Sequence, residues 1–392
     1  SSRRQVVATR AAARQHVGMK STLPSAVAAV LFAACASSPD RGEVVGLDDV
    51  TPAILAGTPV AALPNEPRLR NVRQLTFEGE NAEAYWSNDG TKLVLQRRTQ
   101  GMAADQIYVI DLASGQMQQV STGTGRTTCS YFLQGDQQIV FASTHHFGDA
   151  PPVVKRTRQG YLWDIHREYD LFVVDVDGKN LRQLTKEPGY DAEATVCPKT
   201  GDLVFTSVRD GDLELYICKA DGSNVQRVTN RPGYDGGAFF SHDGTKLVLR
   251  SAYPRDDKQA SEDQELLGQQ LVRPSNMEIT VCNRDGSGFR KVTNNGAANF
   301  APFWLPGDKR IIFSSNFRGM EKMKQTGDHT QARNFELFVM DEDGGNIEQV
   351  TDNPEFDGFP MFSPCGRYLV FASNRYGKKQ GDTNVFVAEW VK

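Results

Sequence analysis

The sequence predicts an all-β fold, a six-bladed β-propeller whose blades are four-stranded antiparallel sheets. Three observations lead to this prediction. A unit recurs six times along the chain, each copy contains four short segments of β-type sequence, and the 392 residues include 35 glycines, which suit tight turns. Four strands per repeat is the pattern of propeller blades, so six repeats give six blades.

Each repeat opens with a short strand that ends in threonine or serine. The clearest copy runs from Leu181 to Asn224, and the others start at Val72, Gln118, Val225, Phe289 and Ile347. The hydroxyl residues at the strand ends are Thr76, Ser121, Thr185, Thr229, Thr293 and Thr351. Apolar and polar residues alternate in the second β segment, as in KLVLQ and KLVLRS, and a tight turn such as Asn88-Asp89-Gly90 precedes it. This combination is typical of antiparallel hairpins.

The order of strands within the repeat predicts how the ring closes. The chain enters the first repeat with strand 72–76, which corresponds to the outermost strand of a blade. It ends with residues 384–392, a third strand that no fourth strand follows. We therefore expect the N-terminal strand 72–76 to join the last blade, which leaves no open sheet edge between the first and last blades.

The first 70 residues have a different character. Residues 1–34 contain five Lys or Arg residues and no carboxylate, and Lys20 follows the first methionine, Met19. The apolar run 23–34 is too short to span a bilayer and has the layout of a secretory signal. The sequence therefore predicts four parts: translated upstream sequence at 1–18, a signal peptide at 19–34, a tether at 35–70 and the propeller at 71–392.

The segment Phe32-Ala33-Ala34-Cys35 resembles the bacterial lipobox, in which the cysteine becomes the lipidated N-terminus. The resemblance implies a lipid anchor at Cys35 as the one attachment to a membrane. Ala36, the residue after it, favours the outer membrane, so we expect an exported lipoprotein that faces the periplasm. The alternative is an ordinary cleaved signal with an incidental cysteine.

Composition and motifs exclude several classes of protein. The balance of 44 basic and 48 acidic residues gives a net charge of −4, without the excess of positive charge expected for binding nucleic acid. The five cysteines other than Cys35 include no C-x-x-C pair, which argues against a disulfide framework and a zinc knuckle. The chain contains no G-x-S-x-G nucleophile motif, no P-loop and no dinucleotide fingerprint. We therefore expect a monomeric propeller that is not an enzyme.

Four repeats carry additional residues at the same point, between their second and third strands. These insertions are 144–169, 251–276, 317–334 and 376–383, in the second, fourth, fifth and sixth repeats. Because equivalent connections emerge on the same side of a propeller, we expect all four on one face, with the loops that enter the innermost strands. Loops on a rigid scaffold are where binding residues are usually placed, so this face is the predicted binding face.

One group of candidate binding residues starts the innermost strands, which line the axis of the ring. Their side chains could hold a divalent cation such as calcium, or a basic group of a ligand. These residues are Glu83, Asp191, Glu193, Asp235, Asn299 and Asp357. The alternative is that they bond to neighbouring backbone amides and hold one blade to the next.

Two further groups of candidates lie in the insertions. Imidazoles near Asp or Glu would suit zinc or manganese if the protein is an enzyme. The histidines are His145, His146, His166 and His329, which could instead be solvated loop residues. Basic and aromatic residues together can bind sugar rings or anionic polymers. Such residues in the second repeat are Lys155, Arg156, Arg158, Tyr161 and Trp163, of which the two aromatic residues could instead pack the loop onto the propeller.

The repeats resemble the WD-like (PD40) repeats of TolB-type propellers over about residues 71–392. The segments that carry the resemblance are QLT, YDGGAFFSHDGTK, SVRDG and LYICKADGSN. The resemblance implies a six-bladed propeller of the bacterial envelope whose partner is an envelope protein or a cell-wall component. Members of the TolB type carry an α/β domain before the propeller, for which residues 36–70 are too few.

The repeats, the motifs and the one-sided insertions together predict a non-enzymatic propeller of the cell envelope that binds a protein or another ligand. Two alternatives stay open. Six-bladed propellers of similar repeats include pectic-oligosaccharide lyases, so the chain could be a metal-dependent polysaccharide lyase or glycosidase. It could also be an accessory propeller for an envelope peptidase.

Overall fold

The computed structural model describes residues 56–154 and 162–392. The predicted upstream sequence and signal peptide, Cys35 and most of the predicted tether lie outside the described residues. The same is true of Lys155, Arg156, Arg158 and Tyr161.

Six antiparallel sheets form the blades of a propeller, which confirms the predicted fold class. From the innermost to the outermost strand, blade 1 contains Glu80–Trp86, Lys92–Arg98, Gln106–Asp111 and Met117–Gln119. Blade 2 contains Thr127–Phe132, Gln138–Ser143, Asp170–Asp175 and Arg182–Gln183. Blade 3 contains Asp191–Val196, Leu203–Ser207, Glu214–Cys218 and Gln226–Arg227.

Blades 4 to 6 repeat this order. Blade 4 contains Tyr234–Phe240, Lys246–Ala252, Glu278–Asn283 and Arg290–Lys291. Blade 5 contains Asn299–Trp304, Arg310–Ser315, Glu336–Asp341 and Glu348–Gln349. Blade 6 contains Asp357–Phe362, Tyr368–Ser373 and Asn384–Trp390, followed by Leu69–Gln74 and Thr58–Pro59.

Both faces of the blades are buried, because each sheet packs against its neighbours around the ring. The second strands of blades 3 and 6, Leu203–Ser207 and Tyr368–Ser373, are buried at every residue. Large side chains such as Trp304 and Phe205 lie between the sheets without solvent contact. These strands therefore have two packed faces, and not the one packed and one exposed face that an alternation of apolar and polar residues predicts.

The hydroxyl residue at the end of each repeat's first segment has the same role in all six blades. Its oxygen accepts a hydrogen bond from the backbone N–H of the second residue of the third strand, at 2.8–2.9 Å. In blade 6, Thr76 accepts this bond from Val385 and donates one to Asn384 at 3.0 Å. A hydroxyl can both accept and donate, so the recurring Thr or Ser joins the third and fourth strands.

The two ends of the propeller share blade 6. Leu69–Gln74 pairs antiparallel with Asn384–Trp390, with Leu69 opposite Trp390 and Gln74 opposite Phe386. This strand lies a few residues earlier than the predicted range 72–76. It completes the last blade with chain from the start of the domain.

Residues before position 71 also belong to the folded domain. Thr58–Pro59 pairs with Leu69–Gln74, and Glu66 is only 2% exposed. Both carboxylate oxygens of Glu66 accept hydrogen bonds from Arg375, at 2.8 and 2.9 Å, and Arg375 also donates to Asp357 at 2.6 Å. The predicted end of the tether at residue 70 is therefore too late, because strand pairing and a buried ion-pair cluster fix this segment to blade 6.

The insertions contain the two α-helices of the described chain. Helix α1 (Asp257–Gly268) lies in the insertion of blade 4, and α2 (Phe317–Thr326) lies in that of blade 5. Short 3₁₀ helices cover His145–Phe147 and His329–Arg333. In the described part of the chain, no helix has the length and apolar character that a membrane crossing requires.

A two-stranded antiparallel sheet joins the insertions of blades 2 and 4. We name this sheet, Trp163–Asp164 with Leu271–Val272, the strap. Blade 3 lies between these blades in the ring and has only the short turn 209–211 at the equivalent point. The strap thus connects blades 2 and 4 where blade 3 has no insertion of its own.

Candidate ligand-binding site

The innermost strand of every blade contains a β-bulge at the same place. The register of the inner strand shifts there, and one residue takes a left-handed backbone conformation with φ between +48° and +60°. These residues are Glu83, Cys129, Glu193, Gly237, Ala301 and Phe359. Five of them are not glycine, and a positive φ is uncommon for other residues. The bulge brings all six to one small axial cavity of about 30 Å³.

The residues predicted at the channel mouth occupy two different positions relative to this bulge. Glu83 and Glu193 are bulge residues that line the axial cavity. Asp191, Asp235, Asn299 and Asp357 lie two residues earlier and are at most 1% exposed. The structure therefore brings together Glu83 and Glu193 at the axis, and places the other four inside the blades.

Each of the four buried residues bonds to a side chain of its own blade, and Asn299 also donates to the Met277 carbonyl at 2.7 Å and to Glu278 at 3.1 Å in blade 4. The pairs are Asp191 with Arg209 at 3.0 Å, Asp235 with Tyr253 at 2.5 Å, Asn299 with Ser315 at 2.6 Å, and Asp357 with Arg375 at 2.6 Å. Burial raises the pKa of Asp235 to about 7. The backbone N–H of each of the four also donates to a carbonyl of the preceding blade, at 2.8–3.0 Å, which favours the alternative that these positions hold one blade to the next. The repeat pattern does not distinguish the bulge residues from the residues two places earlier, because nothing in it marks the bulge.

A larger cavity opens above the axis on the side of the insertions. Its volume is about 1150 Å³, and the strap, the insertion of blade 5 and the loops entering the inner strands form its walls. It shares Glu83, Cys129, Glu193, Arg250 and Phe359 with the axial cavity, so the two are continuous. We name the combined cavity the funnel and the part near these five residues its floor.

Aromatic residues cover the walls of the funnel. On the side of blades 5 and 6, four half-buried phenylalanines form a cluster with ring centroids 5.2–6.4 Å apart. They are Phe300, Phe335, Phe356 and Phe359. On the side of blades 2 to 4, the wall contains Trp163, Tyr169, Tyr190 and Tyr234. Trp163 is half-buried, whereas the three tyrosines are at most 6% exposed. Aromatic rings that line a concave surface are typical of sites that bind an apolar or aromatic group.

Sequence reasoning did not identify this aromatic lining, although a signal was present. An aromatic residue directly precedes the strand-initial aspartate in three repeats, as Tyr190-Asp191, Tyr234-Asp235 and Phe356-Asp357. The aspartate is buried inside the blade, whereas the aromatic side chain lines the funnel.

One carboxylate on the floor is held rigidly. Glu193 accepts hydrogen bonds from the Thr206 hydroxyl at 2.7 Å, the Gly237 amide at 2.9 Å and the Tyr234 hydroxyl at 3.2 Å. It also forms a salt bridge with Arg250, which is 8% exposed. The Arg250 guanidinium lies 5.0 Å from the ring centroid of Trp163, so the strap covers this ion pair. No motif or spacing in the sequence indicates a role for Arg250.

The second carboxylate, Glu83, has no salt bridge to any described cation. Burial, and to a lesser extent the negative charge of Glu193, raise the pKa of Glu83 to about 7. The Cys129 thiol donates a hydrogen bond that opposes this rise, and the charge of Arg250 opposes it weakly. Burial also raises the pKa of the Cys129 thiol, so the thiol stays protonated beside Glu83.

The predicted histidines do not come together as one group. His145 and His146 are neighbours with ring centroids 5.9 Å apart, and His146 Nε2 lies 2.7 Å from Asp170 Oδ2. His166 is buried beside Tyr169, whereas His329 is exposed in the insertion of blade 5. Within residues 56–154 and 162–392, no group of three or more His, Cys, Asp or Glu side chains is arranged to hold a metal ion.

Comparison with known proteins shows which repeats and which folds the chain resembles. The family model of the TolB β-propeller domain (PD40) matches residues 164–270. The structure of a putative TolB from Agrobacterium tumefaciens is 19% identical with a TM-score of 0.52, and the match covers 80% of this chain and 91% of that chain. TolB from Acinetobacter baumannii is 15% identical with a TM-score of 0.50, over 71% of this chain and 55% of that chain.

A gluconolactonase from Xanthomonas campestris is also similar, with 14% identity, a TM-score of 0.53, and coverage of 86% of this chain and 95% of that chain. No curated protein matches the chain significantly in sequence. At these identities, the similarity to solved structures concerns the fold alone, while the family model supports the repeat type. The chain is therefore a six-bladed β-propeller, and its residues 164–270 are similar to the TolB β-propeller domain.

Proposed function

We propose that the protein is a non-enzymatic binding propeller that takes a segment of a partner protein into the funnel. The observation that carries the proposal is the cluster of four half-buried phenylalanines on the funnel wall, together with the fixed Arg250–Trp163 contact on the other side. Tryptophan, tyrosine and arginine are enriched among the residues that dominate binding energy at protein interfaces, and aromatic rings in general supply large apolar contact area.

The size of the funnel supports a polypeptide as ligand. Its volume of about 1150 Å³ exceeds that of most small-molecule pockets, which range over roughly 300–1000 Å³. Its walls contain both apolar rings and the arginines Arg126, Arg273 and Arg333. Apolar and acidic side chains of one segment could therefore bind side by side. A rigid ring that presents such walls needs little rearrangement to bind, which lowers the entropic cost of association.

The proposed setting is the bacterial envelope, with an envelope protein or a cell-wall component as partner. The secretory pattern of residues 19–34 and the lipobox-like sequence ending at Cys35 support export and anchoring to the outer membrane on its periplasmic side. The similarity to TolB propellers is consistent with this setting. In this proposal the propeller is monomeric and contacts the membrane through the lipid anchor.

The test compares partner capture by variants on and off the funnel. Phe356→Ala removes one ring of the cluster, and its matched control, Ile347→Ala, removes an apolar side chain that is 46% exposed directly before the outer strand Glu348–Gln349. Loss of an aromatic anchor weakens binding by about 10- to 100-fold. We expect capture from envelope extracts to fall for Phe356→Ala and to stay unchanged for Ile347→Ala. Equal capture by both variants would contradict the proposal.

A glycosidase is the second candidate, because the funnel floor holds two carboxylates in different environments. Glu193 is ion-paired and accepts several hydrogen bonds, whereas Glu83 is half-buried and has no cation partner among the described residues. Pairs of acids with unlike surroundings are a feature of acid–base catalysis on sugars. Hydrolysis of an acidic glycan by the wild type, lost in Glu83→Gln, would favour this candidate over the binding module.

A further inference from the structure

We propose that the funnel floor is a recognition site for a primary ammonium group, from a lysine side chain or from a chain N-terminus. The inference rests on the proposed binding function and names the group that the partner segment inserts most deeply. Three features of the floor lead to it: an unbalanced charge, a narrow shape and an apolar surround.

When Glu83 is ionised, the charge on the floor is one cation short. Glu193 is matched by Arg250, and Asp105, the next acid, is matched by Arg126 at 3.2 Å. Glu83 has no such partner among the described residues. The titratable and charged groups that face Glu83 from the surrounding strands are Tyr85, Asp105, Cys129, Tyr169, Glu193 and Arg250. Since the two tyrosines and the thiol are neutral and the other charges are paired, a ligand with one positive charge would balance the floor.

The shape of the floor selects a compact cation. The axial cavity of about 30 Å³ has room for about one or two water-sized groups. An ammonium group is of this size, whereas the planar guanidinium of arginine is considerably larger. Gly237 and Ala301, two of the six bulge residues, leave this space open because their side chains are small or absent.

The surround of the floor suits the stem of a lysine. Phe359 lies beside Glu83 at the axis, and the other three phenylalanines continue the apolar wall upward. Lysine packs its methylene groups along apolar surface while its charged end reaches a polar group. A lysine inserted along the axis would contact the phenylalanine cluster with its stem and Glu83 with its ammonium group.

Binding at this site has a consequence for protons. The free protein holds a proton on Glu83 at and below about pH 7, because burial has raised its pKa. A bound ammonium group favours the charged carboxylate and so lowers this pKa. Binding therefore releases a proton near neutral pH, and affinity for the ammonium group should rise as the pH increases from 6 to 8.

The test uses synthetic peptides as probes and isothermal titration calorimetry at pH 6, 7 and 8. The lysine probe is acetyl-Phe-Gly-Lys-Gly-Phe-amide, and its control carries Nε-acetyl-lysine in the same position. A third peptide has a free N-terminus and no lysine, and a fourth has arginine in place of lysine. The first and third peptides distinguish the two sources of the ammonium group.

We expect the lysine or the free N-terminal probe to bind at least about 10-fold more tightly than the acetyl-lysine and arginine probes, consistent with one buried charge pair. Glu83→Gln should remove this difference and its pH dependence. The matched control Glu80→Gln changes a carboxylate that lies on the funnel wall and pairs with Arg98. This control should keep both effects.

The outcomes separate the two proposals. Equal affinity for the lysine and acetyl-lysine probes, with both weakened by Phe356→Ala, would overturn the ammonium site and leave the binding function. Absence of binding by every probe would count against both. A difference between the probes that survives Glu83→Gln would also overturn the inference, because the ammonium group would then be recognised elsewhere.

Discussion

The cluster of Glu66, Arg375 and Asp357 provides a test of how the ring is closed. All three side chains are at most 2% exposed, and one guanidinium serves both carboxylates. Blade 3 offers a matched control, since Arg209 donates to Ser207 and Asp191 as Arg375 does to Ser373 and Asp357, but without a second carboxylate. The perturbation is Arg375→Met, with Arg209→Met as its control.

The expected cost follows from the burial of the partners. Removing one member of a buried ion pair leaves an uncompensated charge and costs about 3–5 kcal/mol of unfolding free energy. Arg375→Met strands two carboxylates, so we expect a loss at the upper end of this range, and Arg209→Met should lose less. Adding Glu66→Gln to Arg375→Met removes one stranded charge and should restore part of the loss.

The loss should depend on pH in a known direction. Burial raises the pKa of Asp357 in the folded protein, and Arg375 opposes this rise. Without Arg375 the folded protein holds this proton to higher pH than the unfolded chain does, so the folded state binds more protons. Stability of Arg375→Met therefore falls as the pH rises, and its deficit should be larger at pH 8 than at pH 5.

The assay is urea unfolding followed by tryptophan fluorescence at pH 5 and pH 8. Wild type, Glu66→Gln, Arg375→Met, the double variant and Arg209→Met form a mutant cycle with an internal control. If the effects of Glu66→Gln and Arg375→Met simply add, or if Arg375→Met costs no more than Arg209→Met, residues 58–70 are not fixed to blade 6 in the way the structure shows.

Three further predictions concern other parts of the chain. Burial raises the pKa of Glu336 to about 8, so folding stability should fall as the pH rises from 5 to 8. In thermal unfolding, Glu336→Gln should reduce the dependence of stability on pH. An unchanged dependence would contradict this prediction. Cys35→Ala should abolish incorporation of labelled fatty acid and release the protein from membranes, whereas Cys365→Ala should not. Trp163→Ala should uncover the Arg250–Glu193 pair and weaken ligand binding by about 10-fold or more without unfolding the propeller, as circular dichroism would verify.

The fold was predictable because the repeat pattern shows the number of strands in each blade and the number of blades. The pattern shows six units of four strands, and it shows that the last unit ends with its third strand. The structure has both features, and the final strand is Asn384–Trp390. The recurring Thr or Ser was visible too, although its bond to the third strand was not. Local periodicity is enough to assign strands whose partners are neighbours in sequence.

The candidate site was only partly predictable, because it depends on contacts between distant residues. Glu83 and Glu193 were identified, but the bulge that turns them to the axis leaves no mark in composition. Arg250 lies in a strand whose sequence resembles the second strand of the other repeats. Its role depends on contacts with Glu193 and Trp163, which are 57 and 87 residues away in sequence. Glu66 was assigned to the tether because its partner Arg375 is 309 residues away.

Site-specific photocrosslinking tests the central claim, that a partner enters the funnel, most directly. A photoreactive phenylalanine analogue is placed at Phe356 on the funnel wall and, in a second protein, at the exposed Ile347 directly before the outer strand of blade 5. Irradiation of cells producing each variant is followed by mass spectrometry of the crosslinked products. The account predicts one defined polypeptide crosslinked at position 356 and none at 347, with the crosslink reduced in Glu83→Gln. Crosslinks at 347 with none at 356 would show that the partner binds another surface, and would contradict the account.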